Sequence, residues 1–162
     1  QTKIFLYGQR GLIMPGWFKG ARVGTVFLFL GANLFPMDGQ EEGLTEFREI
    51  NFSIRISAPE RAAMEMLHLV PGKVGFQEAS LIMENLVALR PDVTQKLLET
   101  CRSVKVKRLF LYMTEKHEHP WLSQLNLSQI DLGKGKRMII PNGQYDRKYR
   151  ITVPIDSEET SA

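Results

Sequence analysis

The residues able to do chemistry are concentrated in the last third of the chain. Residues 102–150 carry eleven basic and four acidic side chains, whereas residues 1–101 carry ten and eleven, so the net charge of +3 belongs to one segment. Three groups make up the excess. The first is Arg102, Lys105, Lys107 and Arg108; the second is Lys134, Lys136 and Arg137, within Gly133-Lys134-Gly135-Lys136-Arg137; the third is Lys148 and Arg150. Cations at this density suit an anionic partner, either nucleic acid or an acidic protein surface. Charge alone fits a solvated face with no partner equally well. The 133–137 run lacks the second glycine before a Lys-Ser/Thr pair that a P-loop needs, so a nucleotide pocket is not expected.

Three further patterns invite enzymatic or metal readings. Asp146-Arg147-Lys148, taken with an upstream acid such as Asp92, has the carboxylate-x-lysine form of metal-dependent nucleases. There two acids hold a divalent ion and the lysine steadies the attacking water or the phosphate charge. Such a triplet arises easily by chance in a basic chain. His117-Glu118-His119-Pro120-Trp121 contains two histidines at i and i+2, which diverge on a helix, and no HExxH partner set accompanies them. A helix-end His117 packing beside Trp121, near Phe110 and Met113, is the expectation. Cys101 falls on an apolar helix face with no His base, so a packed thiol is expected rather than a nucleophile. No catalytic residue, metal or cofactor is assigned.

The chain of 162 residues is 43% hydrophobic and 24% charged, which suits one domain with a real core and excludes wholesale disorder. One cysteine excludes an intramolecular disulfide framework and points to a reducing compartment. The apolar stretch around Val26 to Leu30 is far too short to cross a bilayer, and no signal peptide is visible, so a cytoplasmic protein is expected. The first residue is Gln1, and Lys3-Ile4-Phe5-Leu6-Tyr7 reads as a strand already under way. A fragment whose N-terminal part is missing is therefore expected.

These residues need elements to position them. Ile4 to Tyr7 and Thr25 to Leu30 predict buried strands, and residues 36–46 predict a polar connector. Ile50, Phe52, Ile54 and Ile56 alternate with Asn51, Ser53, Arg55 and Ser57, which predicts a strand with one buried face. Ser57-Ala58-Pro59-Glu60 is a capping-box pattern ahead of a helix bearing Ala62, Ala63, Met66, Leu67 and Val70. A second helix is predicted over 76–89, and a third opens at Pro91 and runs through Leu97, Leu98 and Cys101. Val106, Leu109, Phe110 and Met113 predict a fourth helix from Val104, with Lys105, Arg108 and Tyr112 sharing a face away from Met113. Asn142-Gly143 predicts a hairpin with Ile140 opposite Tyr145, Met138 opposite Arg147 and Arg137 opposite Lys148. Arg137, Lys148 and Arg150 then form a basic stripe, with like charges opposed at a cost of about 0.2–1 kcal/mol each.

The strings Ser57-Ala58-Pro59-Glu60-Arg61-Ala62, Cys101 to Leu111, His119-Pro120-Trp121, Ile130 to Arg137 and Tyr145 to Pro154, with Phe5-Leu6-Tyr7-Gly8 and Trp17-Phe18, resemble the AbiEi antitoxins. These are the transcriptional-regulator half of type IV toxin–antitoxin (abortive infection, phage defence) systems. The resemblance extends to Pro154 and implies two modules: an N-terminal winged helix that binds operator DNA, and a C-terminal module that supplies antitoxicity. It also implies a nucleotidyltransferase-like toxin, opposed without a stable complex. The winged-helix module is absent from this sequence, so no base-reading residue is assigned.

The combined expectation is an α/β (α+β) domain over residues 1–154, with an acidic disordered tail over 155–162. Strands from both ends would form one mixed sheet with the helical middle packed on it. Arg102, Lys105, Lys107, Arg108, Lys134, Lys136, Arg137, Lys148 and Arg150 would make one face for DNA phosphates, the toxin or the toxin's nucleic-acid substrate. The alternatives are the nuclease on Asp146 and Lys148, or a pure interaction or dimerisation domain; oligomeric state is left open.

Overall fold

The computed structural model describes residues 2–8, 10–11, 13–19, 24–31, 33–36 and 41–156. Strand β1 (Thr2–Gly8) is followed by the single-turn helix α1 (Gly16–Lys19) and by β2 (Thr25–Gly31), which pairs with β1 in parallel. Next comes an antiparallel hairpin of β3 (Leu44–Glu49) and β4 (Phe52–Ser57). Four helices then run in succession: α2 (Pro59–His68), α3 (Phe76–Glu84), α4 (Pro91–Thr100) and α5 (Val104–Lys116). Two 3₁₀ turns lead to the short strands β5 (Arg137–Met138), β6 (Gln144–Asp146) and β7 (Ile151–Val153). The architecture is mixed α+β, with a helical middle between strands at both ends. No helix among the described residues is long and apolar enough to cross a membrane.

Pro91 opens a helix as predicted, and Pro59 does the same where a capping box was expected. Pro59 and Pro91 occupy the first turns of α2 and α4, where their missing N–H costs nothing. Helix α5 starts on Ser103, whose hydroxyl accepts the Val106 N–H at 3.3 Å. It runs through the centre of the core: Val106, Leu109, Phe110, Leu111 and Met113 have no exposed surface. They join one apolar cluster extending from Leu30 to Val153, and burial of each stabilises the fold by about 1.5–3 kcal/mol.

Several expectations are corrected. Residues 36–46 are not all connector, because β3 begins at Leu44 (residues 37–40 lie outside the described set). The second helix ends at Glu84, well before Leu89. The early and late strands do not share a sheet: among the described residues there are two two-stranded sheets and one three-stranded sheet. Strand β4 (Phe52–Ser57) covers only part of the expected alternation, because Ile50 and Asn51 form the turn from β3, and Phe52, Ile54 and Ile56 are exposed because no described layer covers that face.

The late hairpin is also different. The partner of β5 is β7, in parallel, with Arg137 beside Ile151, and the antiparallel pair is β6 with β7. Pro141 has no N–H to close a tight loop. Ile139 and Ile140 instead both donate to the Thr152 carbonyl, at 3.2 and 3.1 Å. The chain passes so close to β7 at Gly143 that a Cβ there would collide with the Val153 carbonyl oxygen. The predicted opposition of Arg137 and Lys148 is therefore absent.

The capping box is replaced by longer links. Ala58 is the N-cap of α2 and offers no side-chain bond, while the Ser57 hydroxyl donates to the Glu65 carboxylate at 2.6 Å. Glu60, 2% exposed, accepts from the Arg90 N–H, Nε and Nη2 at 2.9, 3.0 and 3.1 Å, which joins the starts of α2 and α4. Burial opposes the Glu60 charge, but the Arg90 bonds outweigh it and hold the carboxyl below its ordinary range. A folded pKa below the unfolded one stabilises fully above the ordinary carboxylate range, and the gain is lost as pH falls through the folded value. We expect Arg90→Met to cost about 1–3 kcal/mol at neutral pH. That difference from wild type should shrink in acid, and urea unfolding in both conditions would expose an error if the loss were the same in each.

Candidate nucleic-acid interface

The first basic group turns inward. Lys105 donates through Nζ to the His68 and Val70 carbonyls, at 2.9 and 2.7 Å, and so takes up carbonyls at the end of α2. Burial lowers the pKa of that ammonium. Lys107, 5% exposed, donates to the Asp131 carbonyl at 3.1 Å. Arg108 has no exposed surface at all. Its Nε donates to the Leu132 carbonyl at 2.8 Å, and its Nη1 to the Gly135 and Arg150 carbonyls at 2.7 and 3.3 Å. Burial, then the nearby Arg150 and Arg137 charges, depresses the Arg108 pKa.

The face expected from nine residues is corrected accordingly. Lys107 and Arg108 cannot belong to an exposed surface, and Lys105 is held by backbone. The predicted separation of a basic face from an apolar stripe on α5 fails because the helix is buried nearly all round. Main-chain carbonyls, and not solvent, accept from the cations there, and Arg108 Nη2 is left buried without a partner among the described residues.

The other basic residues do gather. Strand β5 begins, β6 ends and β7 begins at one end of the three-stranded sheet. That end and the 133–136 loop hold Lys134, Lys136, Arg137, Lys148 and Arg150. Lys134, Lys136 and Arg137 are exposed. Lys136 Nζ stands 4.9 Å from the centre of the Tyr145 ring, and Arg150 Nη2 donates to the Gly133 carbonyl at 2.9 Å. Lys148 is exposed but ion-paired to Glu115. Arg102 is exposed at the junction of α4 and α5, where its N–H donates to the Leu34 carbonyl at 2.9 Å. Arg147, in the turn between β6 and β7, is exposed beside the cluster. The nuclease reading absorbed it as a spacer, although its position in the basic run Arg147-Lys148-Tyr149-Arg150 was the available signal.

The other candidate groups serve the scaffold. Asp146 accepts the Tyr149 N–H at 2.7 Å, which closes the turn between β6 and β7, and Asp92 lies in the first turn of α4. Among the described residues, no group of three or more His, Cys, Asp or Glu is placed to hold a metal ion. The histidine beside Trp121 is His119, stacked at 5.3 Å and 15°, with Nε2 2.7 Å from the Met83 carbonyl. His117 instead meets the Ser80 hydroxyl at 2.9 Å. Cys101 is buried, and burial pushes its thiol pKa up.

A family model for the AbiEi antitoxin, a transcriptional regulator of type IV toxin–antitoxin systems, matches residues 1–154. No curated protein and no solved structure matches the chain.

The division of labour among the cations has a measurable consequence. Arg108→Met should cost about 3 kcal/mol or more, because it strands carbonyls in the core. Lys136→Ala and Arg137→Ala should stay within about 0.5 kcal/mol of wild type. Urea unfolding of the three variants separates the roles, and comparable losses in all three would refute them.

Proposed function

The chain belongs to the AbiEi antitoxin family of type IV toxin–antitoxin transcriptional regulators, and from that premise we propose that its basic sheet end contacts DNA phosphates while the module opposes its cognate toxin. The observation that carries the reading is the cluster of exposed Lys134, Lys136 and Arg137, backed by Arg150. Like charges brought together cost free energy, and an anionic partner offsets that cost. Phosphate contacts of this kind position a protein on the duplex without reading its sequence. Lys148 flanks the cluster as a weaker contributor, since it already has a carboxylate partner, and Arg102, exposed at the junction of α4 and α5, is a separate contributor.

As in the family resemblance, the toxin is a nucleotidyltransferase-like protein countered without a stable complex, the activity is non-enzymatic, and the compartment is the cytoplasm. Residues 1–154 act as the antitoxin module. Asp156, just beyond it, pairs with Lys116 at 2.7 Å.

The test is duplex binding across a range of salt concentrations. Lys134→Glu, Lys136→Glu and Arg137→Glu together should weaken binding. They should also flatten the slope of log affinity against log salt by roughly 2–3, at about 0.9 for each phosphate that the protein no longer neutralises. Unchanged affinity and slope would refute DNA contact at this site. Intact DNA binding together with failure to protect cells expressing the toxin would move the cluster to the antitoxic role.

A further inference from the structure

The turn between β6 and β7 carries two cations outside the 133–137 cluster. Residues 147–150 connect Asp146 to Ile151, which lie opposite each other on the two strands. The Asp146 carboxylate accepts the Tyr149 N–H at 2.7 Å, and Tyr149, 3% exposed, meets Tyr112 edge-on with ring centres 6.5 Å apart. The turn is thereby closed on its own backbone and anchored in the core through Tyr149. Arg147 and Lys148, the two residues ahead of that anchor, are exposed. With the strand order β5-β7-β6, the turn lies at the end of the sheet where the 133–136 loop enters β5. Strands β5 and β6 are two strand spacings apart there, about 10 Å, so loop and turn hold their cations side by side.

The two cations are not equivalent. Arg147 has no hydrogen-bond or ion-pair partner among the described residues. Lys148 is ion-paired to Glu115, near the end of α5, and its Nζ lies 5.4 Å from the centre of the Tyr149 ring. The Lys148 bond holds the Glu115 carboxyl below its ordinary range, so Glu115 is charged at neutral pH. Other carboxylates here serve the backbone: Asp131 accepts the Gly133 N–H at 2.8 Å, and Asp146 the Tyr149 N–H. Among the described residues, Glu115 alone is ion-paired to a cation of this sheet end. The geometry points to the β6–β7 turn as a second phosphate-contacting element beside the 133–137 cluster, with Arg147 as its contact and Glu115 as the residue that withholds Lys148. This inference rests on the DNA-contact reading and extends it. Arg147 has no partner to give up, and its planar fork can meet a phosphate through two donors. At Lys148 a phosphate must displace a carboxylate already in place, and that carboxylate also repels the duplex. Glu115 thus sets how tightly the sheet end holds a polyanion.

The probe is a short DNA duplex titrated with the full chain at several salt concentrations. Arg147→Ala should weaken binding by about threefold or more and flatten the slope of log affinity against log salt by about 0.9, the share of one phosphate. Arg147 is exposed, so that variant should keep the wild-type urea midpoint. Glu115→Gln should do the opposite, tightening binding by about two- to fivefold and steepening the slope by a similar amount. Glu115→Gln combined with Lys148→Gln exchanges one neutral pair for another and should return both quantities to wild type. Glu78→Gln, which removes the same charge from α3, controls for net charge. The inference is overturned if Arg147→Ala binds as wild type does, if Glu115→Gln tightens binding no more than Glu78→Gln, or if its gain survives in the double variant. The triple Lys134→Glu, Lys136→Glu and Arg137→Glu variant keeps the two readings apart. Weakened binding there, beside an inert Arg147→Ala or Glu115→Gln, refutes the role of the turn alone. An unchanged triple variant refutes DNA contact at the sheet end and the role of the turn with it.

Discussion

Much of the C-terminal half is organised by a guanidinium that has no carboxylate partner. Arg108 projects from the central helix and is closed over by three backbone carbonyls, from Leu132, Gly135 and Arg150. The carbonyls engage its Nε and Nη1 without introducing a second desolvated charge, while Nη2 is buried with no partner among the described residues. The result ties three stretches distant in sequence to one side chain. Lys107 extends the tie to Asp131, and Lys105 performs the corresponding task at the end of α2. The helix is thus apolar along much of its surface and cationic where the backbone of other segments turns its acceptors inward.

This arrangement explains how the exposed basic residues are held. Burial first, and then the neighbouring Arg150 and Arg137 charges, lower the Arg108 pKa, so the inner cation and the outer ones share one end of the sheet. Sheet pairing keeps the cluster together. The Arg137 N–H donates to the Arg150 carbonyl at 2.9 Å, and that same carbonyl also accepts from Arg108. One oxygen therefore links the interior cation to the strand that displays the outer ones.

What was legible in the sequence follows the range of the interactions concerned. Prolines at helix starts, apolar periodicity and the strand alternation of β4 are local, and each produced the element expected. Whether Arg108 faced water was not local, because its acceptors lie more than twenty residues away and are main-chain atoms that every residue possesses. Cations are so seldom buried that a helix face carrying Lys and Arg reads as wet. The Asn142-Gly143 signal failed in a similar way. A turn dipeptide specifies bending, but the pairing of β5 with β7 was decided by the proline beside it and by a shared acceptor on Thr152. Strand β3 was missed because Glu46, Arg48 and Glu49 mask the alternation of Thr45 and Phe47. At the candidate interface, the loop and strand cations were found from composition, and only the fold could remove Lys107 and Arg108 from them.

The acceptors that close over Arg108 are carbonyl oxygens, so what the clamp requires of residues 132, 135 and 150 is a backbone path and not a particular side chain. Gly135 and Arg150, with φ of 74° and 54°, are constrained by that path; the side chains of Lys134 and Lys136 are not. The surface identity of this loop can therefore be rewritten during divergence while its course stays fixed. One scaffold could present different charge patterns to different partners without renegotiating its interior.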